Sequence, residues 1–163
     1  MKNLIKKKYY KFSYLIFLGI FSAFSLPPYN YYIINFLTFT LFFIFIFKER
    51  STTKDNFFFF KYGWFFGFGY FLSNLYWIYI PLTFDEKFEF LIPIAIIIIP
   101  SFLAIFYGLI TYFFSIFYSK KVAVSILIFS VLFGIIEILR GSILTGFPWN
   151  LVAFSFSKNL YFI

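Results

Sequence analysis

Short polar breaks divide this chain into five long apolar stretches, and that division limits the folds it can adopt. A bilayer core of about 30 Å needs roughly 20 apolar residues per helix, with some latitude for tilt. Each stretch is near that length and is apolar on all sides. The sequence therefore predicts five membrane-spanning segments: Phe12 to Leu26, Tyr31 to Phe47, Phe57 to Ile80, Phe90 to Tyr118 and Val122 to Leu139.

The composition of the stretches favours helices over strands. A transmembrane barrel needs apolar and polar residues in alternation, and the stretches do not alternate. Hydrophobic residues form 63% of the chain, which is more than an ordinary soluble domain contains. The predicted fold class is all-α: a polytopic membrane helix bundle with about five transmembrane helices. We expect most of the 32 Phe and 14 Tyr to face lipid as filler.

The basic residues predict the orientation of the bundle. Lys and Arg cluster in residues 2–11, 48–54 and 120–121, which are alternate ends of successive stretches. The positive-inside rule then places the amino terminus in the cytoplasm. It places the Pro27-Pro28 turn, the 81–89 loop and the Arg140 to Trp149 segment together on the far side. The predicted organisation is a cytoplasmic basic tail (1–11), a five-helix membrane region (12–139) and an extracytoplasmic-side segment (140–163).

One alternative concerns the first stretch. Its basic start, short apolar core and Ala23-Phe24-Ser25 resemble a cleavable signal peptide. Pro27-Pro28 just beyond, and the further spans that follow, favour a first helix that is not cleaved. The later topology is the same in either case.

Two absent residue types exclude several kinds of chemistry within these residues. The chain has no cysteine and no histidine, so it offers no thiol nucleophile, no usual zinc ligand and no imidazole base. The net charge of +8 arises in the short breaks, which is typical of membrane topology rather than of nucleic-acid binding. We therefore predict no metal site, no cofactor, no nucleic-acid partner and no catalytic residue in this chain.

One carboxylate stands apart from the others. We expect five of the six acidic residues to lie in solvated breaks: Glu49, Asp55, Asp85, Glu86 and Glu89. Glu137 instead lies in an apolar context, three residues before Arg140, so on a helix the two share a face and can pair. The simplest role is an ion pair that anchors the helix end, with Arg140 snorkelling toward lipid phosphates. Charge at membrane depth is expensive, which favours a functional role instead.

The residues after Arg140 strengthen the functional interpretation. Gly141 permits a break, and Thr145-Gly146-Phe147-Pro148-Trp149 joins a flexible glycine to a proline without an amide proton. Non-helical backbone at the membrane edge must be buried in protein or line a wet cavity. A cavity near a guanidinium suits a lipid phosphate. The predicted lipid-binding residues are Glu137, Arg140, Gly146, Phe147, Pro148 and Trp149.

Three glycines in the third stretch predict close helix packing. Gly63, Gly67 and Gly69 present small surfaces, and the spacing of the first two is typical of helices that approach closely. A phosphate-binding role for these glycines fails, because no lysine follows them and the strand-turn-helix setting is missing.

Several segments together resemble a known family. In order along the chain they are Phe24-Ser25-Leu26-Pro27-Pro28-Tyr29-Asn30, Gly63-Trp64-Phe65-Phe66-Gly67-Phe68-Gly69-Tyr70-Phe71, Leu75-Tyr76-Trp77-Ile78 and the segment Glu137 to Trp149. All resemble the amino-terminal membrane region of bacterial apolipoprotein N-acyltransferases, and the last is the most specific. The resemblance covers essentially the whole chain.

The resemblance implies a larger bundle of membrane helices, an extracytoplasmic nitrilase-like domain and a location in the bacterial inner membrane. It implies a reaction in which a cysteine of a Glu-Lys-Cys triad takes an acyl chain from a phospholipid as a thioester. The acyl chain then passes to the α-amino group of the diacylglyceryl-cysteine that begins a lipoprotein. The implied partners are a phospholipid donor, the diacylglyceryl lipoprotein and the bilayer.

The extent of the match leads to two further expectations. The nitrilase-like domain and its cysteine are not among these residues, so we expect a truncated reading frame and no activity from this polypeptide alone. The alternative function is a small polytopic transporter or membrane scaffold that uses Glu137 and Arg140 as a gate or anchor. Transporters commonly carry internal repeats, and the sequence shows no such repeat.

Overall fold

The computed structural model of the chain describes residues 2–143 and 150–156, with residues 2–8 as backbone only. The described part is helical and contains no strand. The α-helices are α1 (Lys2–Ala23), α2 (Ile33–Thr52), α3 (Asn56–Asn74), α4 (Ile92–Phe117) and α5 (Val122–Ile143). Short 3-10 helices cover Tyr76–Thr83, Glu86–Leu91 and Val152–Phe156.

Each apolar stretch contains one α-helix, but several boundaries differ from the prediction: α1 already begins at Lys2, and α2 continues to Thr52. The third α-helix ends at Asn74, and the stretch continues as the 3-10 helix Tyr76–Thr83, which contains Pro81. Pro93 lies in the first turn of α4. Amide protons in the first turn have no partner within the helix, so proline costs no hydrogen bond there. Gly141 permits a break, but α5 continues through this glycine to Ile143, beyond the predicted end at Leu139.

Two helical runs are long and apolar enough to cross a membrane: Glu86–Phe117 and Val122–Ile143. The first three helices contain more polar and small residues: α1 begins among lysines, α2 ends in Lys48-Glu49-Arg50, and α3 contains Lys61 and several glycines. The count of about five spans therefore stays a prediction.

Helix α3 lies at the centre of the bundle and packs chiefly against α4 and α1. A Cβ added at Gly63 would collide with the carbonyl oxygen of Tyr107 in α4, and one at Gly67 would lie 2.8 Å from the Tyr107 Cβ. Gly69 faces the backbone of Ile16 in α1. Sequence reasoning overlooked Gly19 of α1, where an added Cβ would collide with the Phe66 carbonyl. Close approach on both sides of α3 requires these small residues.

Some aromatic residues build the interior, while the expectation that most of them face lipid stays a prediction. Phe42 of α2 stacks on Phe66 of α3 with ring centroids 4.1 Å apart. Tyr107 of α4 contacts the rings of Phe66 and Tyr70. Many other aromatic side chains are exposed, so the chain uses the same residue type for its core and its surface.

The bundle has two ends. We call one of them the basic end, where Lys11 of α1 and Tyr62 of α3 both donate a hydrogen bond to Glu49 of α2, at 2.6 and 3.1 Å. Arg50 donates to the carbonyl oxygen of Ser115 near the end of α4. The expectation of a solvated loop for Glu49 was therefore wrong, because this side chain lies within α2 and joins three helices.

Candidate functional site

A buried ion pair lies in the last turns of α5. Arg140 Nη2 is 2.8 Å and Nε is 3.2 Å from Glu137 Oε1. The helix itself places the two residues on one face, as their spacing predicts. Only 8% of Glu137 and 1% of Arg140 is exposed, so both charges are shielded from the surroundings of the bundle.

The ion pair also holds the chain that returns after α5. The backbone amide of Val152 donates to Glu137 Oε2 at 3.0 Å, and Arg140 Nη2 lies 3.4 Å from the carbonyl oxygen of Asn150. The hydroxyl of Tyr70 in α3 donates to that same carbonyl oxygen at 3.0 Å. We call these five residues the α5 clasp. It ties α3, α5 and the returning backbone together.

The surroundings of Arg140 explain why a charge is tolerated there. Its guanidinium carbon lies 5.0 Å from the centroid of the Phe71 ring, which adds a cation–π contact to the carboxylate and the carbonyl. The snorkelling alternative was wrong, because the side chain of Arg140 has no exposed surface. Its described contacts position residues 150–152, and its lipid-binding role, with that of Glu137, stays a prediction.

The other predicted lipid-binding residues fall outside the described part of the chain. These are Gly146, Phe147, Pro148 and Trp149. The description resumes at Asn150, which has a φ of 44°. Asparagine is one of the few residues that adopt this left-handed conformation readily.

A pocket of about 420 Å³ opens beside the clasp, at the end of the bundle away from Glu49. We call it the end pocket. Segments far apart in sequence form its walls: the turn after α1, the end of α3, the 3-10 helix that follows, and the returning chain. The lining residues are Ala23, Phe24, Leu26, Pro27, Pro28, Tyr29, Ser73, Asn74, Tyr76, Trp77, Asn150 and Phe154.

The end pocket combines apolar walls with a few polar groups. Phe24 and Tyr29 contact each other with ring centroids 4.9 Å apart, and Trp77 of the 3-10 helix also lines the pocket. Asn74 donates to the Tyr70 carbonyl oxygen, while the Asn150 side-chain NH₂ is buried without a hydrogen-bond partner in the described part of the chain. Such a mixture suits a ligand with an apolar body and oxygen acceptors.

A buried polar network lies behind the pocket and was not foreseen from the sequence. Ser22 donates to the Asn35 side-chain oxygen at 2.9 Å, and the Asn35 amide donates to Ser155 at 3.0 Å. The Thr38 hydroxyl oxygen lies 3.2 Å from that of Ser22. Polar residues inside apolar stretches were the available signal, since buried polar groups need partners. The network anchors the 3-10 helix Val152–Phe156 to α1 and α2.

Within residues 2–143 and 150–156, no group of three or more acidic residues lies together in a way that could hold a metal ion.

The matching family model and the similar known proteins all have the same family description. Residues 18–163 match the family model described as apolipoprotein N-acyltransferase N-terminal domain. Similar proteins include the apolipoprotein N-acyltransferase of Rhizobium etli, 38% identical over 83% of this chain and 26% of that protein. That of Rhizobium leguminosarum bv. trifolii is 36% identical over the same shares. That of Brucella suis is 41% identical over 58% of this chain and 18% of that protein. The chain spans about a quarter of the length of the first two relatives.

Proposed function

Because this chain belongs to the apolipoprotein N-acyltransferase family, we propose that it forms the membrane domain that binds the phospholipid acyl donor of such an enzyme. The proposed reaction moves an acyl chain from the phospholipid ester to the α-amino group of a diacylglyceryl-cysteine at the start of a lipoprotein. The chain has no cysteine, so the thiol that carries the acyl group between the two is not among these residues. The proposed location is the bacterial inner membrane, with the amino terminus in the cytoplasm.

The convergence of the family-like segments on the end pocket carries this proposal. The segment 24–30 supplies one wall, Tyr76 and Trp77 supply another, and Asn150 directly follows the segment Glu137 to Trp149. Aromatic walls suit an acyl chain, and the amides of Asn74 and Asn150 suit phosphate or ester oxygens. The α5 clasp supports this wall, because it fixes Asn150 and Val152 against α3 and α5.

Photo-cross-linking tests lipid binding in this chain. Benzoylphenylalanine at Trp77, in bilayers with labelled phosphatidylethanolamine, should give an adduct whose yield saturates as that lipid increases. Ser73→Phe should fill the pocket and lower the adduct several-fold. Ser130→Phe is the matched control, because Ser130 lines a different groove between α2 and α5. An adduct that never saturates, or equal losses in both variants, would contradict a pocket-specific lipid site.

A chimera tests the acyl transfer itself. This chain replaces the matching quarter of the Rhizobium etli enzyme, and the substrate is a diacylglyceryl-cysteine peptide with phosphatidylethanolamine. We expect the peptide mass to increase by one acyl chain, and Ser73→Phe to slow that increase several-fold. A chimera that inserts and is stable but leaves the peptide unchanged would argue against the proposed reaction.

A further inference from the structure

Another groove lies at the basic end, away from the end pocket and from the groove between α2 and α5. It has a volume of about 370 Å³ and runs between α1 and α3. Its lining comprises five aromatic rings and one ammonium group: Phe12, Phe57, Phe60, Lys61, Trp64 and Phe65. We call it the basic-end groove. Neither the proposed acyl transfer nor the α5 clasp involves it.

Contacts with neighbouring helices hold the walls of this groove in place. The Trp64 indole NH donates to the carbonyl oxygen of Ser101 in α4 at 3.0 Å. Phe12 and Phe65 lie with ring centroids 4.4 Å apart, which joins the α1 wall to the α3 wall. The Phe60 ring packs over Gly108, where an added Cβ would lie 2.7 Å from it. The groove is therefore a formed surface feature.

Lys61 differs from Lys11, which lies on the adjacent helix. The Lys11 ammonium is 2.6 Å from Glu49, whereas no carboxylate of the described residues lies within 4.0 Å of the Lys61 ammonium. The Lys61 nitrogen instead lies 4.7 Å from the Phe57 ring centroid and 5.3 Å from that of Phe58. Among the described residues its positive charge therefore meets aromatic faces and no counter-charge.

The basic-end groove lies close to the ends of the helices that contain most of the basic residues. Tyr62, next to Lys61, donates to Glu49, so Lys61 lies at the level where α2 ends and α3 begins. The breaks at this end of the helices contain mostly cations: Lys48, Arg50, Lys54, Lys120 and Lys121, against Glu49 and Asp55. A basic pocket between membrane helices attracts anionic lipid headgroups.

From this placement we propose that the basic-end groove binds one anionic phospholipid, distinct from the acyl donor at the other end of the bundle. The Lys61 ammonium pairs with the headgroup phosphate. One acyl chain lies along the rings of Phe12, Phe60 and Phe65. The lipid would link α1 to α3 at the membrane surface without being consumed.

Quenching of Trp64 fluorescence by brominated lipids tests this site directly. The chain has three tryptophans, so the background variant Trp77→Phe/Trp149→Phe leaves Trp64 as the reporter inside the groove. The chain is reconstituted in phosphatidylcholine vesicles that contain a small fraction of either dibrominated phosphatidylglycerol or dibrominated phosphatidylcholine. We expect several-fold stronger quenching by the anionic lipid at equal fraction.

Two variants decide whether Lys61 is responsible. Lys61→Gln should reduce quenching by phosphatidylglycerol to the level of phosphatidylcholine. Lys121→Gln removes an equal charge from an exposed position outside the groove and should keep the preference. Equal quenching by both lipids in the background variant would overturn the proposal. So would a preference that survives Lys61→Gln, or one that both variants abolish, since the latter means general attraction to a basic surface.

Discussion

The two ion pairs described in this chain lie at opposite ends of the bundle and differ in sequence separation and in the exposure of their cations. Lys11 and Glu49 join α1 to α2 over 38 positions of sequence, and their side chains keep 28% and 14% of their surface exposed. Glu137 and Arg140 are three residues apart on one helix, and the guanidinium has no exposed surface. The first pair joins helices to each other, and the second holds the returning chain.

This difference shows which charges the fold can lose. A partly exposed pair such as Lys11–Glu49 contributes less, because water and salt compete for its more exposed cation. A buried pair contributes little when it is removed as a unit, but loss of one partner leaves the other charge without compensation. The α5 clasp is therefore a set of interdependent contacts, while the Lys11–Glu49 pair is one contact among several at its end.

Cysteine labelling gives the largest expected effect, because its outcome is all or none. The chain lacks cysteine, so a cysteine at Thr53 or at Thr83 is a unique reporter. Thr53 follows α2 at the basic end, and Thr83 ends the 3-10 helix beyond α3. We expect an impermeant maleimide to label the two positions from opposite sides of the membrane. Labelling of both from one side would refute the comparison of two opposite ends.

Removal of one partner of the buried pair should give the next largest effect. Arg140→Met leaves Glu137 buried and unpaired, and we expect the free energy of unfolding to fall by about 3–5 kcal/mol. The double variant Arg140→Met/Glu137→Leu should recover most of that loss, because no charge then remains buried. Unfolding in mixed detergent–SDS micelles, followed by circular dichroism, measures both. A single variant as stable as the double one would contradict the interdependence of the clasp.

The positions of the helices followed from the sequence, because their apolar lengths and polar breaks are local properties. The pairing of Glu137 with Arg140 followed for the same reason, since a spacing of three residues determines it on any helix. The boundaries after α3 and α5 did not follow. Gly141 only permits a break, and the clasp contacts of Arg140 and Glu137 favour a helix that continues past it.

Contacts between segments that are far apart in the sequence could not be predicted and became visible only in the structure. The end pocket forms because Pro27, Trp77 and Asn150 meet, and their separations of 50 residues or more carry no periodic signal. The role of Glu49 depends on its distance to Lys11, which no local pattern contains. The composition also could not predict which aromatic residues form the core, because phenylalanine occurs both in the interior and at the surface.

The smallest effect should come from the partly exposed Lys11–Glu49 pair, and its dependence on salt makes the comparison sharper. Lys11→Met leaves Glu49 its hydrogen bond from Tyr62, so we expect a loss of about 0–1 kcal/mol in the free energy of unfolding. That loss should disappear near 1 M salt, where the screening length is about 3 Å. The loss in Arg140→Met should persist there, because ions do not reach the buried carboxylate. If salt removed both losses equally, salt would screen the two pairs to the same extent. The proposed difference in burial between them would then be refuted.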